Sequence, residues 1–142
     1  MIYALEGVIT KRITMNIILA EDDYEFRSLL AAVLRGDGHS VTECPDGSSL
    51  LDCLATSSPA EKPSCELVIS DVRMPDLTAL EILERLHPRQ GRPVWILMTA
   101  FGERQVHAEA KKLGVAATLD KPFEIDDLRD KVREVAALTQ DR

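Results

Sequence analysis

The stretch Asn16-Ile17-Ile18-Leu19-Ala20-Glu21-Asp22-Asp23 sets the pattern: an unbroken apolar run that stops on three acids. Four consecutive apolar residues without polar alternation are expected of a strand buried on both faces. The pattern returns at Leu67-Val68-Ile69, followed by Ser70-Asp71, and at Val94–Met98, followed by Thr99. Amphipathic stretches lie between these runs. Phe26, Leu29, Leu30, Val33 and Leu34 recur at helical spacing, and Gly36 and Gly38 end that helix. Leu50, Leu51 and Leu54 mark a second helix. Leu80, Leu83 and Leu86 mark a third, closed by Pro88 and Gly91. Val106, Ala110 and Leu113 stripe a fourth, with Gly114 at its C-terminus, and Ile125, Leu128, Val132 and Val135 stripe the last. Ser40–Cys44 alternates polar and apolar, as a half-exposed edge strand does, and Val115–Leu119 reads as a weaker strand at the other edge. Ser57–Ser64, with Pro59, Pro63 and small residues, reads as a loop.

Five strand-helix repeats imply an α/β fold: a parallel sheet with helices on both faces, joined by right-handed crossovers. No Gly-rich phosphate loop is present, which removes the dinucleotide and P-loop readings. In open sheets of this kind ligands bind at the carboxyl ends of the strands.

The chain has 142 residues, the size of one domain with a sizeable core. Hydrophobic content of 45% beside 29% charged residues fits a globular chain, not a disordered one. A net charge of -7 argues against direct nucleic-acid binding, which depends on neutralising phosphates with Lys and Arg. Cys44, Cys53 and Cys65 form no C-x-x-C pair, and no His lies at metal-ligand spacing to them, so they read as thiols of a reducing cytosol. No apolar run approaches the roughly 20 residues needed to span a bilayer. Met1–Thr10 contains Glu6, and its basic residues Lys11 and Arg12 follow it, the reverse of a signal peptide. The expectation is a cytoplasmic protein without membrane attachment. Met15 opens a stretch that reads as a natural start. Residues 1–14 read as an N-terminal extension of unknown role or the product of an upstream start codon, and residues 15–140 as the domain; the few residues after the last helix leave no room for an output domain, so a stand-alone domain and a piece of a longer protein both stay open.

Four strand ends carry polar groups: Glu21-Asp22-Asp23, Ser70-Asp71, Thr99 and Asp120-Lys121-Pro122. Each alone has an ordinary explanation. Acids before a helix serve as N-caps, an Asp after a strand turns the chain, a Thr caps a helix, and a Lys is a solvated charge. The conjunction is not ordinary, because all four ends of a parallel sheet face the same side. Clustered carboxylates raise one another's pKa unless a cation intervenes. Hard oxygen ligands suit Mg²⁺, and a carboxylate can accept a phosphoryl group. Phosphoryl transfer then requires mainly positioning and charge neutralisation.

The set Glu21-Asp22, Asp71 within Asp71-Val72-Arg73-Met74-Pro75, Thr99-Ala100 and Lys121-Pro122-Phe123 resembles the signature of the bacterial response-regulator receiver family, over roughly residues 15–140. The resemblance implies the doubly wound five-stranded (βα)5 sheet, flavodoxin-like, with strand order 2-1-3-4-5. It implies Asp71 as phosphoacceptor, with Thr99 and Lys121 holding phosphoryl oxygens. It implies Mg²⁺ held by Asp22, Asp71 and the backbone carbonyl of Arg73, with Glu21 acting through water, and Asp23 as an extra acid. A cis peptide before Pro122 would aim Lys121 into the site. The implied donor is a sensor histidine kinase or a histidine phosphotransfer protein, and the implied output is a downstream partner bound by the face of the fourth helix, last strand and last helix. The implied activity is phosphorylation-dependent signalling in a two-component system or phosphorelay, with weak intrinsic phosphotransfer and autodephosphorylation expected and no dedicated enzyme. Two positions depart from the family: Ala79 stands where a Gly is frequent, and Thr118 stands where an aromatic is frequent.

Two other readings compete. A constitutive receiver-like adaptor would ignore phosphate; intact Asp71, Thr99 and Lys121 weigh against it. A metal-dependent phosphohydrolase of the haloacid-dehalogenase type would want a second acid two residues after its nucleophile, where this chain has Arg73.

Overall fold

The computed structural model describes residues 2–5, 8–11, 13–56, 65–86 and 93–140. The first described strands, β1 (Ile2–Leu5) and β2 (Val8–Lys11), pair antiparallel with Ile2 opposite Lys11. They fall within the N-terminal extension. β3 (Asn16–Ala20), β4 (Ser40–Cys44), β5 (Leu67–Asp71), β6 (Val94–Ala100) and β7 (Ala117–Lys121) then form a parallel sheet in the order β4-β3-β5-β6-β7. Counted from β3 this is 2-1-3-4-5, the expected doubly wound, flavodoxin-like arrangement. The helices are α1 (Tyr24–Gly36), α2 (Gly47–Thr56), α3 (Ala79–Leu86), α4 (Arg104–Lys112) and α5 (Ile125–Gln140).

The period of two along each strand sorts side chains onto two cores. Ile17, Leu19, Leu67, Ile69, Ile96 and Met98 pack with Leu30 and Leu34 of α1 and with Leu128 and Val132 of α5. Ile18, Val68, Trp95 and Leu97 face the other way, onto Leu50 of α2, Ile82 and Leu83 of α3, and Val106 and Ala110 of α4. The three central strands are fully covered, which is why they read as unbroken apolar runs. The edge strand β4 alternates exposed and covered positions, as its sequence does.

Some expectations need correcting. Leu29 shares the helical spacing of Phe26, Leu30, Val33 and Leu34 but is exposed; the covered positions of α1 are Arg27, Leu30, Ala31 and Leu34. β6 runs on to Ala100 and β7 from Ala117 to Lys121, so Thr99 lies within β6 and Lys121 is the last residue of β7. Thr99 does not cap α4; the N-cap residue is Glu103. The Ser57–Ser64 loop and the closure of α3 by Pro88 and Gly91 lie outside the described residues. None of the three cysteines is in a disulfide, and Cys44 Sγ lies 3.5 Å from Cys53 Sγ. Burial pushes the Cys44 thiol up to about 12 and the Cys65 thiol up to about 11.

Helix starts are fixed by side chains. Asp23 caps α1, accepting from the Phe26 N–H at 3.1 Å. Thr78 and Glu81 exchange reciprocal bonds at 3.1 Å, a capping box at the start of α3. The start of α2 is held from two sides. Asp46 accepts from Ser49 N–H at 2.8 Å, while Asp76, in the loop after β5, accepts from Gly47 N–H at 2.8 Å and Ser48 N–H at 2.9 Å. Asp76 thereby ties the loop that leaves Asp71 to α2. Gly47 makes that approach possible, since a Cβ there would stand 2.6 Å from Leu77 Cβ and 2.7 Å from its carbonyl oxygen.

Gly47→Ala should therefore force the two segments apart and lower the urea midpoint by an amount equivalent to roughly 1–3 kcal/mol. Gly36→Ala, at a helical position with nothing within 4 Å, should leave the midpoint unchanged or raise it slightly. Equal midpoints for Gly47→Ala and the native chain would show that the loop gives way without cost.

Candidate functional site

The carboxyl ends of β3, β5 and β7 converge on one cluster. Glu21 follows β3 directly, and its backbone is fixed at both ends. Its N–H donates to the Cys44 carbonyl at 3.0 Å, and its carbonyl accepts from Arg27 Nη1 at 2.7 Å. The buried Arg27 guanidinium also meets Glu43 at 3.2 Å, which explains why an arginine occupies the inner face of α1. The Glu21 carboxylate, 1% exposed, accepts from Asp23 N–H at 3.0 Å and from Lys121 Nζ at 2.7 Å. Burial pushes its carboxyl above the ordinary value, and the bond from Lys121 pulls the other way.

Asp71 closes β5 and is half-buried. Its Oδ2 accepts from Lys121 Nζ at 3.0 Å, and the Arg73 N–H stands 3.4 Å from its Oδ1. Carboxylate oxygens of Glu21, Asp22 and Asp71 lie within 4.8 Å of one another. Asp22 is exposed at the rim, while Asp23 is turned into its capping bond. The triplet thus divides by role, two acids to the cluster and one to the helix.

Lys121 reaches this cluster across the neighbouring strand, and its peptide with Pro122 is cis. Burial disfavours the ammonium, but the bonds it donates to Glu21 and Asp71 overcome this and hold its pKa above the ordinary value. Nζ stands 5.1 Å over the Phe26 ring, which packs on Phe123 at 5.9 Å between centroids. This aromatic platform was not read from the sequence, because Phe26 and Phe123 are distant in the chain and each serves the core.

Thr99 is brought to the same edge but not to the carboxylates. It is 1% exposed, and its Oγ1 donates to Glu103 Oε2 at 2.9 Å. Glu103 Oε1 meets Arg73 Nε at 3.1 Å. Arg73, expected to offer its carbonyl, sits in the loop leaving Asp71 and sends its side chain to Glu103. Farther along β7, Asp120 Oδ1 meets His107 Nε2 at 2.7 Å, beside a hollow of about 390 Å³ lined by Phe101, Gly102, Glu103, Arg104, His107 and Asp120. Sequence reasoning missed Glu103 and His107. The only signal for Glu103 was its place four residues after Thr99.

Comparison with known proteins agrees with this geometry. Residues 17–133 match the family model described as the response regulator receiver domain. The chain is 32% identical over 123 residues to sporulation initiation phosphotransferase F of Bacillus subtilis, covering 87% of this chain and 94% of that protein. It is 37% identical over 113 residues to the transcriptional regulatory protein FixJ of Bradyrhizobium diazoefficiens, covering 80% of this chain but only 52% of that protein, so it spans about half of that relative. In fold it is similar to the response regulator protein TrrA of Thermotoga maritima, solved in complex with Mg²⁺ and BeF, with a TM-score of 0.71, 22% identity, and 85% and 98% of the two chains covered. With a receiver model matched along most of its length, and acids and lysine gathered at the strand ends of the corresponding fold, the chain belongs to the response-regulator receiver domain family.

Proposed function

We propose that this receiver is a phosphoacceptor signalling domain that takes a phosphoryl group on Asp71 from a phosphohistidine donor and thereby switches the binding of a protein partner. The observation that carries the reading is the Glu21–Lys121–Asp71 arrangement, with bonds of 2.7 and 3.0 Å and Asp22 alongside. In the transfer, an Asp71 carboxylate oxygen forms a bond to phosphorus as the phosphorus–nitrogen bond of the donor breaks, and the electron pair leaves with the imidazole. Lys121 follows the charge from the carboxylate to the phosphoryl oxygens, and the Thr99 hydroxyl donates to another. The donor set of Glu21, Asp22 and Asp71 consists of hard oxygens and fits Mg²⁺, which would also draw on the Arg73 carbonyl. When bound, Mg²⁺ supplies neutralising charge for the phosphoryl oxygens. The TrrA structure, solved with Mg²⁺ and a beryllium fluoride, and a relative named as a phosphotransferase support the same chemistry.

The donor is a sensor histidine kinase or a histidine phosphotransfer protein, and the output face is built from α4, β7 and α5. The domain signals more than it catalyses, with weak autodephosphorylation, and it works in the cytoplasm. Among the described residues no helix is long and apolar enough to cross a membrane.

Incubation with acetyl phosphate and Mg²⁺ should add one phosphoryl group per chain, read by mass spectrometry, and Asp71→Asn should abolish it. Equal labelling of the mutant would place the phosphoacceptor elsewhere. Asp22→Ala should remove both Mg²⁺ binding, followed by titration, and reactivity toward acetyl phosphate. Asp23→Ala should retain both and cost about 0.5–2 kcal/mol of stability as a lost cap; a more damaging Asp23→Ala would assign the metal to the wrong acid. Thr118 pairs with Leu97 across β6 and β7 and has no ring to bury. Amide shifts on adding beryllofluoride with Mg²⁺ should accordingly be large around Thr99–Glu103 and small around Thr118. The reverse distribution would show that Thr118 carries the switch without an aromatic.

A further inference from the structure

The Thr99 hydroxyl has a single proton, so it donates to one acceptor at a time. In this structure the acceptor is Glu103 Oε2, at 2.9 Å. The other oxygen of the same carboxylate holds Arg73 Nε at 3.1 Å, and Arg73 belongs to the loop that leaves Asp71. Glu103 therefore spans the mouth of the site, joining the loop after β6 to the loop after β5. It does so at the expense of an ordinary role. Glu103 is the N-cap residue of α4, yet among the described residues its carboxylate makes no capping bond to that helix. The preceding Gly102, at φ +90°, makes the turn that presents it. The bonds from Arg73 and Thr99 hold the Glu103 carboxyl below its ordinary value, as expected of an anion that is fully engaged.

We infer that Glu103 is an internal latch for the unphosphorylated state: its carboxylate occupies the hydroxyl that a phosphoryl group on Asp71 needs, so the Arg73–Glu103–Thr99 chain and phosphorylation exclude one another. The inference rests on Asp71 being the phosphoacceptor. When the phosphoryl group takes the Thr99 proton, Glu103 loses one of its two partners and the clamp between the loops weakens. The released carboxylate stays at the N-terminus of α4, where the helix dipole favours a negative charge. The same step moves the surroundings of the exposed Phe101 and of the His107–Asp120 pair, which share the hollow with Glu103. A change at one hydroxyl is thus passed to the face of α4 and β7. A contact that stabilises only one of two states opposes any ligand of the other by the free energy of that contact.

The test is a titration of the full chain with beryllofluoride and Mg²⁺, followed by amide spectra, in the native protein, Glu103→Ala, Thr99→Ala and the double variant. Glu103→Ala should bind the mimic about 10-fold more tightly than the native chain. Before any mimic is added, its amides from Thr99 to Arg104 should already lie part-way toward the positions that the native chain reaches at saturation. In the Thr99→Ala background the same Glu103 substitution should change affinity less than about twofold, because the contested hydroxyl is gone. An unchanged or weaker affinity in Glu103→Ala, with the native chain binding normally, would overturn the latch alone. So would an equal gain in the Thr99→Ala background, which would mean simple relief of charge repulsion. A native chain that shows no response to the mimic would overturn the phosphoacceptor reading, and the latch with it.

Discussion

Carboxylates at the edge of a hydrophobic core repel one another and resist desolvation, and here one ammonium holds two of them together. Lys121 donates to Glu21 at 2.7 Å and to Asp71 at 3.0 Å from a strand that is not adjacent to either. Everything around it serves that reach. β7 lies at the sheet edge beyond β6, the chain turns at Pro122, and Phe26 offers its ring face to the ammonium. Glu21 is placed in turn by backbone bonds from Arg27 and to Cys44, so α1 and β4 both contribute to the position of one carboxylate. A buried charge left unpaired by loss of its partner is far more costly than the pair is favourable. The cluster therefore penalises any arrangement that separates Lys121 from Glu21 and Asp71.

The parts of this architecture that were legible in the sequence share a physical cause. Ile17–Ala20 and Leu67–Ile69 are covered on both faces, and such strands have no polar alternation to hide them. Asp71, Thr99 and Lys121 stood out because each breaks an apolar run at the same end of the sheet. Leu29 shares the helical spacing but is exposed, and spacing alone counts apolar residues without sorting covered from exposed. On α1 the inward position it competed for belongs to Arg27, whose guanidinium is satisfied by a carbonyl and a carboxylate. Nothing in a helical stripe distinguishes such an arginine from a solvated one. Asp76 and Glu103 were invisible for a different reason. Each looks like a surface acid, and each works through partners far away in sequence: the N-terminus of α2 in one case and Arg73 in the other. The capping box Thr78–Glu81, by contrast, is local, with both partners three residues apart.

The two loops beside Asp71 are constrained to different degrees. The loop after β5 is anchored by Asp76 to α2, through N–H groups that would otherwise be unsatisfied, and Ala79 opens α3 with its N–H on the Val72 carbonyl at 3.0 Å. The loop after β6 has the exposed Phe101, the left-handed Gly102 and the side-chain bonds of Glu103. Backbone bonds resist displacement more than exposed ion pairs do, since the latter are worth little in water. The compliant side of the site is the one that leads to α4.

Both groups assigned to hold phosphoryl oxygens already have carboxylate partners, Lys121 with Glu21 and Asp71, and Thr99 with Glu103. On the proposed reading, a phosphoryl group does not fill vacant donors; it exchanges one set of anionic acceptors for another. Exchanges of this kind have small net free energies because the hydrogen-bond inventory is conserved, and the balance rests on geometry and charge. A small difference is what a reversible switch requires, since two states separated by many kcal/mol cannot be interconverted by a single modification. On the same reading Lys121, with three donor protons, can keep Glu21 while it exchanges its other acceptor, which would preserve the β3–β7 link. Thr99 has one proton and no such redundancy, and on the proposed reading this asymmetry between the two donors would direct the response toward Glu103 and α4 instead of into the sheet.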